Sequence, residues 1–344
     1  MASILQQPTG PSFHQRLRRR GQRALATLAC AAVAGWAGSA LAQAWPAKPV
    51  RIVVPFTVGQ GSDILARAMG EKVAKIWNQS VIVENRAGAN GAIALDAVAK
   101  SPADGLSVLL TSNSPLVINP NMYKKLSYNV ERDFKPVIFL AFADVMLVAN
   151  LQFPATNLRE VVAHLKANPK KYSFGWPGTG STSHLTMEIF KKVAGVDLVH
   201  APYKGSAPAL TDLIGGSIQL MFDAIPSAMP HVKSGRIRAI AMAGTKRSSL
   251  AGDIPAAGEA GITDLPSGGW YGVLLPAGTD NAIANKLYED LHAVVSMPDI
   301  AQRAAEQGLD TRETMNPARF AEFIRRETAY WEKMTRSLGI YQAE

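Results

Sequence analysis

Twice along this chain a short apolar run passes through a Gly-x-Gly-Ser loop into a run of helical length. The first passage is Val53-Val54-Pro55-Phe56-Thr57-Val58-Gly59-Gln60-Gly61-Ser62-Asp63, followed by Ile64–Trp77. The second is Tyr172-Ser173-Phe174-Gly175-Trp176-Pro177-Gly178-Thr179-Gly180-Ser181-Thr182-Ser183-His184, followed by Leu185–Val193. Glycines leave the backbone free to turn, and a hydroxyl or carboxylate residue can cap the next helix. First-turn N–H groups have no internal partner and carry partial positive charge, so one such loop is a weak anion signal. Two loops about 120 residues apart suggest an anion gripped from both sides.

The rest of the pattern is strand and helix in alternation. Val50–Val54, Val81–Val83 and Ser107–Thr111 read as strands, with helices at Ile64–Trp77 and Ala92–Ala99. This rhythm predicts an α/β sheet with parallel strands. Val137–Asn150 is a longer β-rich stretch, read as a strand crossing between lobes. A second unit follows, with strands at Tyr172–Phe174, Leu198-Val199, Ile218–Phe222 and Ile237–Ala241. Its helices are Leu158–Ala167, Leu185–Val193, Ala207–Ile214 and Ala224–Lys233. Gly244–Gly269, rich in Gly, Pro, Ser and Asp, reads as a second crossing. Strand Trp270–Leu275 and helices Asn281–Val295, Asp299–Gln307 and Pro317–Ser337 close the chain. The 344 residues, 47% hydrophobic, can bury a large core. The expected architecture is two α/β lobes, 45–146 plus 265–344 and 147–264, with ligand in the cleft at the strands' carboxyl ends.

Residues 1–42 read as a secretory signal peptide. Arg16, Arg18, Arg19, Arg20 and Arg23 precede an Ala-rich apolar run and then Ser39-Ala40-Leu41-Ala42, the order of a cleavable leader. Cleavage there predicts a periplasmic protein without the only cysteine, Cys30, and so without disulfides. The formal charge of +9 then shrinks, because the leader holds five basic and no acidic residues. The remaining 31 basic and 27 acidic residues are too balanced to argue for a nucleic-acid partner.

Several chemistries fail on spacing. Neither loop has the third glycine of a dinucleotide fingerprint: Ile64 and Ser183 stand there. No Gly-x-x-x-x-Gly-Lys-Ser/Thr loop is present, and neither Ser62 nor Ser181 has a Gly-x-Ser-x-Gly frame. Ser181, His184 and Asp223 could be written as a triad, but caps and helix-face residues account for them more simply. His184 and Glu188 share a helix face without a third nearby metal ligand. His200 and His231 read as structural. Asp223, at a strand's end, suits a helix cap and a ligand contact equally. Neither a metal nor a cofactor is expected.

A series of motifs then carries a resemblance. It runs through Trp45-Pro46-Ala47-Lys48-Pro49-Val50-Arg51-Ile52-Val53-Val54-Pro55-Phe56, Val83-Glu84-Asn85-Arg86-Ala87-Gly88-Ala89-Asn90-Gly91 and Asp133-Phe134-Lys135-Pro136-Val137. It continues through His200-Ala201-Pro202-Tyr203-Lys204-Gly205-Ser206-Ala207-Pro208-Ala209-Leu210, Leu220-Met221-Phe222-Asp223 and Pro276-Ala277-Gly278-Thr279. In this order the chain resembles the Bug (TctC-like) periplasmic solute receptors of tripartite tricarboxylate transporters. The resemblance implies a two-lobed Venus-flytrap fold of the type II periplasmic-binding-protein kind, closing on a small organic acid.

It also implies a carboxylate held by amides and hydroxyls of both loops. The contact positions carried over are Phe56, Thr57, Val58, Gly59, Gln60, Gly61, Ser62 and Asp63 in the first loop. In the second they are Gly178, Thr179, Gly180, Ser181 and His184, with Asn113 and Asp223 besides. The family's first loop is usually Pro-Phe-Pro-Ala-Gly-Gly-Gly-Thr-Asp; Thr57, Val58 and Gln60 depart from it, leaving a bulkier wall. Trp176 replaces a small residue, and facing the cleft it would suit an aromatic or longer-chain acid, while facing out it would pack on the adjacent helix. The expected role is a non-enzymatic, monomeric receptor that passes its ligand to the membrane components of such a transporter. The alternatives are a sensor docking on a kinase and a secreted serine hydrolase.

Overall fold

The computed structural model describes residues 45–178, 180–203 and 205–342. The leader read at 1–42 and the loop residue Thr179 lie outside the described residues.

The first half-sheet follows the predicted rhythm. Strand β1 (Val50–Val54) lies between β2 (Val81–Asn85) and β3 (Ser107–Ser112), all parallel, with helices α1 (Gly61–Trp77) and α2 (Ala92–Ala99) joining them. All six β3 residues are buried, as expected of a strand covered on both faces. Two short helices, α3 (Asn119–Met122) and α4 (Val130–Asp133), then lead to β4 (Phe134–Asn150). The sequence carried no clear signal for these one-turn pieces.

Strand β4 is the spine of the molecule. Its 17 residues, FKPVIFLAFADVMLVAN, form a nearly continuous apolar run. Phe134–Asp144 pairs with β9 (Gly268–Pro276), and the remainder pairs with β7 (Leu220–Ala224) and β8 (Ile237–Met242). One strand therefore serves two half-sheets. Pro136, which cannot donate to a ladder, sits where the β4–β9 register shifts.

The second half-sheet repeats the first. Strands β5 (Ser173–Trp176), β6 (Val199–Pro202) and β7 are parallel, in the spatial order β7–β5–β6. Helices α5 (Leu158–Ala167), α6 (Thr182–Ala194), α7 (Ser206–Gly215) and α8 (Ile225–Lys233) flank them. The chain returns through β9, then α9 (Asn281–Val295), α10 (Pro298–Glu306), the two-residue β10 (Leu309–Asp310) and α11 (Pro317–Leu338).

An all-parallel sheet is corrected here. Strands β9 and β10 run antiparallel to β4, as do β7 and β8, and β9 is antiparallel to β3. The reason is directional: β4 carries the chain from one half to the other and β9 brings it back, so the two crossings oppose each other. Helix starts also moved. Helix α6 begins at Thr182 rather than Leu185 because the Ser181 hydroxyl caps it, accepting from the His184 N–H at 3.2 Å.

Where the crossing strands meet α11, Gly272 makes a close approach possible. A methyl group there would lie 2.2 Å from the Phe320 ring. Without one, Phe320 meets Trp270 and Phe139 edge-on, at centroid distances of 5.5 and 6.0 Å.

Candidate functional site

Parallel ladders put the loops that follow them on one edge. Strands β1, β2 and β3 deliver the first glycine loop, Asn85 and Asn113 to the carboxyl edge of their half-sheet. Strands β5, β6 and β7 deliver the second glycine loop, the start of α7 and Asp223 to the matching edge of theirs.

The first loop is braced from below by Asp63. Its carboxylate accepts from the Gly59 N–H at 2.9 Å and from the Asn85 carboxamide at 3.0 Å, and it pairs with Arg67 at 2.9 Å. Burial opposes the charged form, but Arg67, the Gly59 amide and Asn85 outweigh it and hold the carboxyl below its usual range. Asn85 also donates to the Phe56 carbonyl at 3.0 Å, so both ends of the turn are tied to β2. Thr57, Gly59 and Gln60 are exposed, and Val58 points outward at 70% exposure. Gln60 occupies the N-cap of α1 without a side-chain cap bond. Among the described residues, the amides of Gly61 and Ser62 have no hydrogen-bond partner, and neither has the buried Ser62 hydroxyl.

The second loop is braced by His184. Its Nδ1 accepts from the Gly180 N–H at 3.2 Å, which fixes that nitrogen as unprotonated. Burial, then the charges of His200 and Lys191, lower its pKa to about 4. The ring stacks on Trp176 at 4.6 Å and 24°. Trp176 itself is 5% exposed and lies against Phe174 and His200 as well. Its indole thus packs under the loop, supporting His184. Ser181 caps the helix, and the Thr182 and Ser183 amides have no partner among the described residues.

One strand brings these two helix starts together. Gly269 and Tyr271 are two apart on β9 and so share a face. A methyl group on Gly61 would lie 3.8 Å from the Tyr271 hydroxyl, and one on Gly269 would lie 3.5 Å from the Thr182 hydroxyl. Residues two apart along a strand are separated by about 6.6 Å, so both helix starts abut one small stretch of β9. Asn113, 1% exposed, donates to the Thr182 hydroxyl at 3.1 Å, linking the edge of one half-sheet to the loop of the other.

A second link runs through Asn90. Its carboxamide donates to Asn119 at 2.8 Å and lies 3.5 Å from the Gly180 carbonyl, while Asn119 donates back to the Asn90 carbonyl at 3.1 Å. Ala89 and Asn90 both hold left-handed backbone, each with φ 46°, a conformation costly for alanine. Neither Asn90 nor Tyr271 was among the site residues expected from the sequence. Their contacts are made with residues 90 and 210 positions away, beyond the reach of local pattern.

Asp223 is 1% exposed. One carboxylate oxygen accepts from the Ser206 hydroxyl at 2.7 Å, and the other is buried without a hydrogen-bond partner among the described residues. Burial raises its pKa to about 6, against the hydrogen bonds that favour the ionised form. His184 and Asp223 are not hydrogen-bonded, and the Ser181 oxygen serves the cap, so the triad written from the sequence is not assembled among the described residues. Glu188 is taken up by Lys191 at 3.2 Å, with His200 at 3.5 Å.

Chemically, the described residues of the region offer amides and hydroxyls. Arg67 is committed to Asp63, and the Tyr271 phenol, raised to about 12 by burial, stays a neutral donor. Oriented amides at two helix starts suit an anion held without a full countercharge.

Comparison with solved structures places this arrangement in a known class. The periplasmic binding protein BugD superposes with a TM-score of 0.76 at 30% identity, covering 86% of this chain and 99% of its own. R. palustris Rpa4515 with adipate does so with a TM-score of 0.80 at 32% identity, covering 86% and 99%. The fold is therefore that of the two-lobed periplasmic binding proteins, with the ligand cleft between the lobes. Protein BugT of Bordetella pertussis is 33% identical over 309 residues, which cover 90% of this chain and 94% of BugT. The tripartite tricarboxylate transporter family receptor (TctC) pattern matches residues 65–340. This chain belongs to that family.

Proposed function

We propose that the protein is an extracytoplasmic solute receptor for a small organic carboxylate, which it delivers to a tripartite tricarboxylate-type membrane transporter. The lobes would be 45–146 with 265–344, and 147–264, and export by a cleaved leader would put them in the periplasm. The observation that carries the reading is the convergence of two unsatisfied helix starts, Gly61–Ser62 and Thr182–Ser183, on the Gly269–Tyr271 face of β9. Ligand bridging both starts makes contacts available only when the lobes are closed, and so shifts the population toward the closed form. Adipate in one solved relative and malate in another support a small organic carboxylate as ligand. No catalytic role is assigned: the Ser181 hydroxyl caps α6 and His184 Nδ1 braces the Gly180 amide.

The test is a thermal-shift screen of ligand-free protein against mono-, di- and tricarboxylates and aromatic acids. An acid at a hundredfold excess over its Kd adds about 2.7 kcal/mol, which for a chain of this length raises melting by a few degrees. A response confined to one acid class supports the receptor reading. No response from any carboxylate removes it.

A further inference from the structure

On the opposite face of β9 lies a cavity unconnected with the reading above. Trp270 alternates with Gly269 and Tyr271 and so points away from the glycine loops. With Phe142, Phe323 and Tyr330 it lines a space of about 710 Å³ between the far end of α6, the segment 263–268 and helix α11. That volume falls in the range of small-molecule sites. Ile189, Lys192 and Val193 wall it from α6, seven or more residues and so about 10 Å or more from the glycine-loop end of that helix.

The chemistry is uneven from end to end. Glu327 faces the aromatic end, and the Trp270 indole N–H donates to its Oε2 at 3.1 Å. Among the described residues no cation pairs with this carboxyl. The Arg326 guanidinium lies over the Phe323 ring at 5.7 Å, and its charge favours the ionised carboxyl from beyond ion-pair distance. Burial raises the Glu327 pKa, against the Trp270 hydrogen bond, a cost that an incoming cation would relieve. Lys333, Lys192 and Asp264 also line the cavity, and the Lys192 ammonium donates to the Ser337 carbonyl.

We propose that this cavity is a second ligand site, for an organic amine. Its ammonium sits by the Glu327 carboxylate at the Trp270 end, and its apolar body lies along Phe142, Tyr330 and Met334.

Calorimetric titration of ligand-free protein with phenethylamine tests this. The expected result is saturable one-to-one binding of phenethylamine and at least tenfold loss in Glu327→Gln. Val193→Trp fills the rim from an exposed position and should also abolish binding, so the test survives if the Glu327 variant folds poorly. Absence of saturable phenethylamine binding at millimolar concentration overturns the proposal. So does binding unchanged in a folded Glu327→Gln protein or in Val193→Trp.

Discussion

The Asn113 carboxamide donates to the Thr182 hydroxyl at 3.1 Å, and the Thr182 hydroxyl lies 3.3 Å from the Asn113 oxygen in return. Both residues are buried, so the pair joins the two half-sheets beside the unsatisfied amides. Asn113→Ala leaves the buried hydroxyl unpaired when the lobes are closed, at a cost of about 1–3 kcal/mol. The closed form loses that amount and the open form, where water can reach the hydroxyl, does not. The expected outcome is carboxylate binding weakened about fivefold or more, measured by calorimetry, with little change in the melting temperature of ligand-free protein.

Gly180 combines two constraints. Its φ is +74°, and a methyl group there would lie 3.2 Å from the Met122 sulfur and 3.3 Å from the Asn90 carboxamide. Gly180→Ala should cost about 1–2 kcal/mol in backbone strain alone. Adding Met122→Ala relieves the contact with Met122 but neither the contact with Asn90 nor the dihedral, so the double variant should recover at most part of any carboxylate affinity lost, measured by calorimetry. Full recovery would mean that the left-handed turn is not needed.

Tyr271 has a hydroxyl near Gly61 and no protein hydrogen bond among the described residues. Tyr271→Phe should leave the stability of the ligand-free protein within about 0.5 kcal/mol. Carboxylate affinity should fall about fivefold to tenfold, as expected for one lost hydrogen bond to a charged group. Equal affinity of the two proteins would remove this residue from the site.

His184 makes the fold sensitive to acid. Its pKa falls from 6.5 unfolded to about 4 folded, so the folded state favours the neutral ring. The stabilisation is present above pH 6.5 and is lost as pH falls toward 4, by up to about 3 kcal/mol. Urea unfolding at pH 7 and pH 4.5 should show this decline, and His184→Asn should flatten it. An unchanged slope in the variant would assign the acid sensitivity to other groups.

Asp223 has the opposite sign. Its folded pKa of about 6 lies above 3.8, so the folded state favours the protonated acid. Its contribution is greatest below pH 3.8 and is lost as pH rises through 6, a cost of up to about 3 kcal/mol at neutral pH. Asp223→Asn should therefore raise stability at pH 8 and leave it nearly unchanged at pH 4, by urea unfolding. A buried carboxyl with one oxygen unpartnered among the described residues is a poor stabilising device.

The glycine loops, and most strands and helices, were legible because their causes are local. A run such as Val50–Val54 between turn residues, or Leu158–Ala167 after Asn157, carries its own periodicity and cap. Ser181 was legible as a helix cap for the same reason, since its hydroxyl serves the helix it starts. Trp176 shows the limit. Sequence left its two orientations open, and the indole's place between His184, Phe174 and His200 was set by packing.

What the sequence by itself determined was the alternation of strand and helix, the two Gly-x-Gly-Ser loops and the capped helices beyond them. Short-range sterics, capping and hydrophobic period decide those within a few residues. Only the tertiary structure decided that β4 and β9 oppose each other, that Tyr271 and Gly269 bring Gly61 and Thr182 to one face, and that Asn90 reaches Gly180. Those relationships join residues as much as 210 positions apart, and they exist only once burial of a shared core has fixed the two half-sheets against common crossing strands.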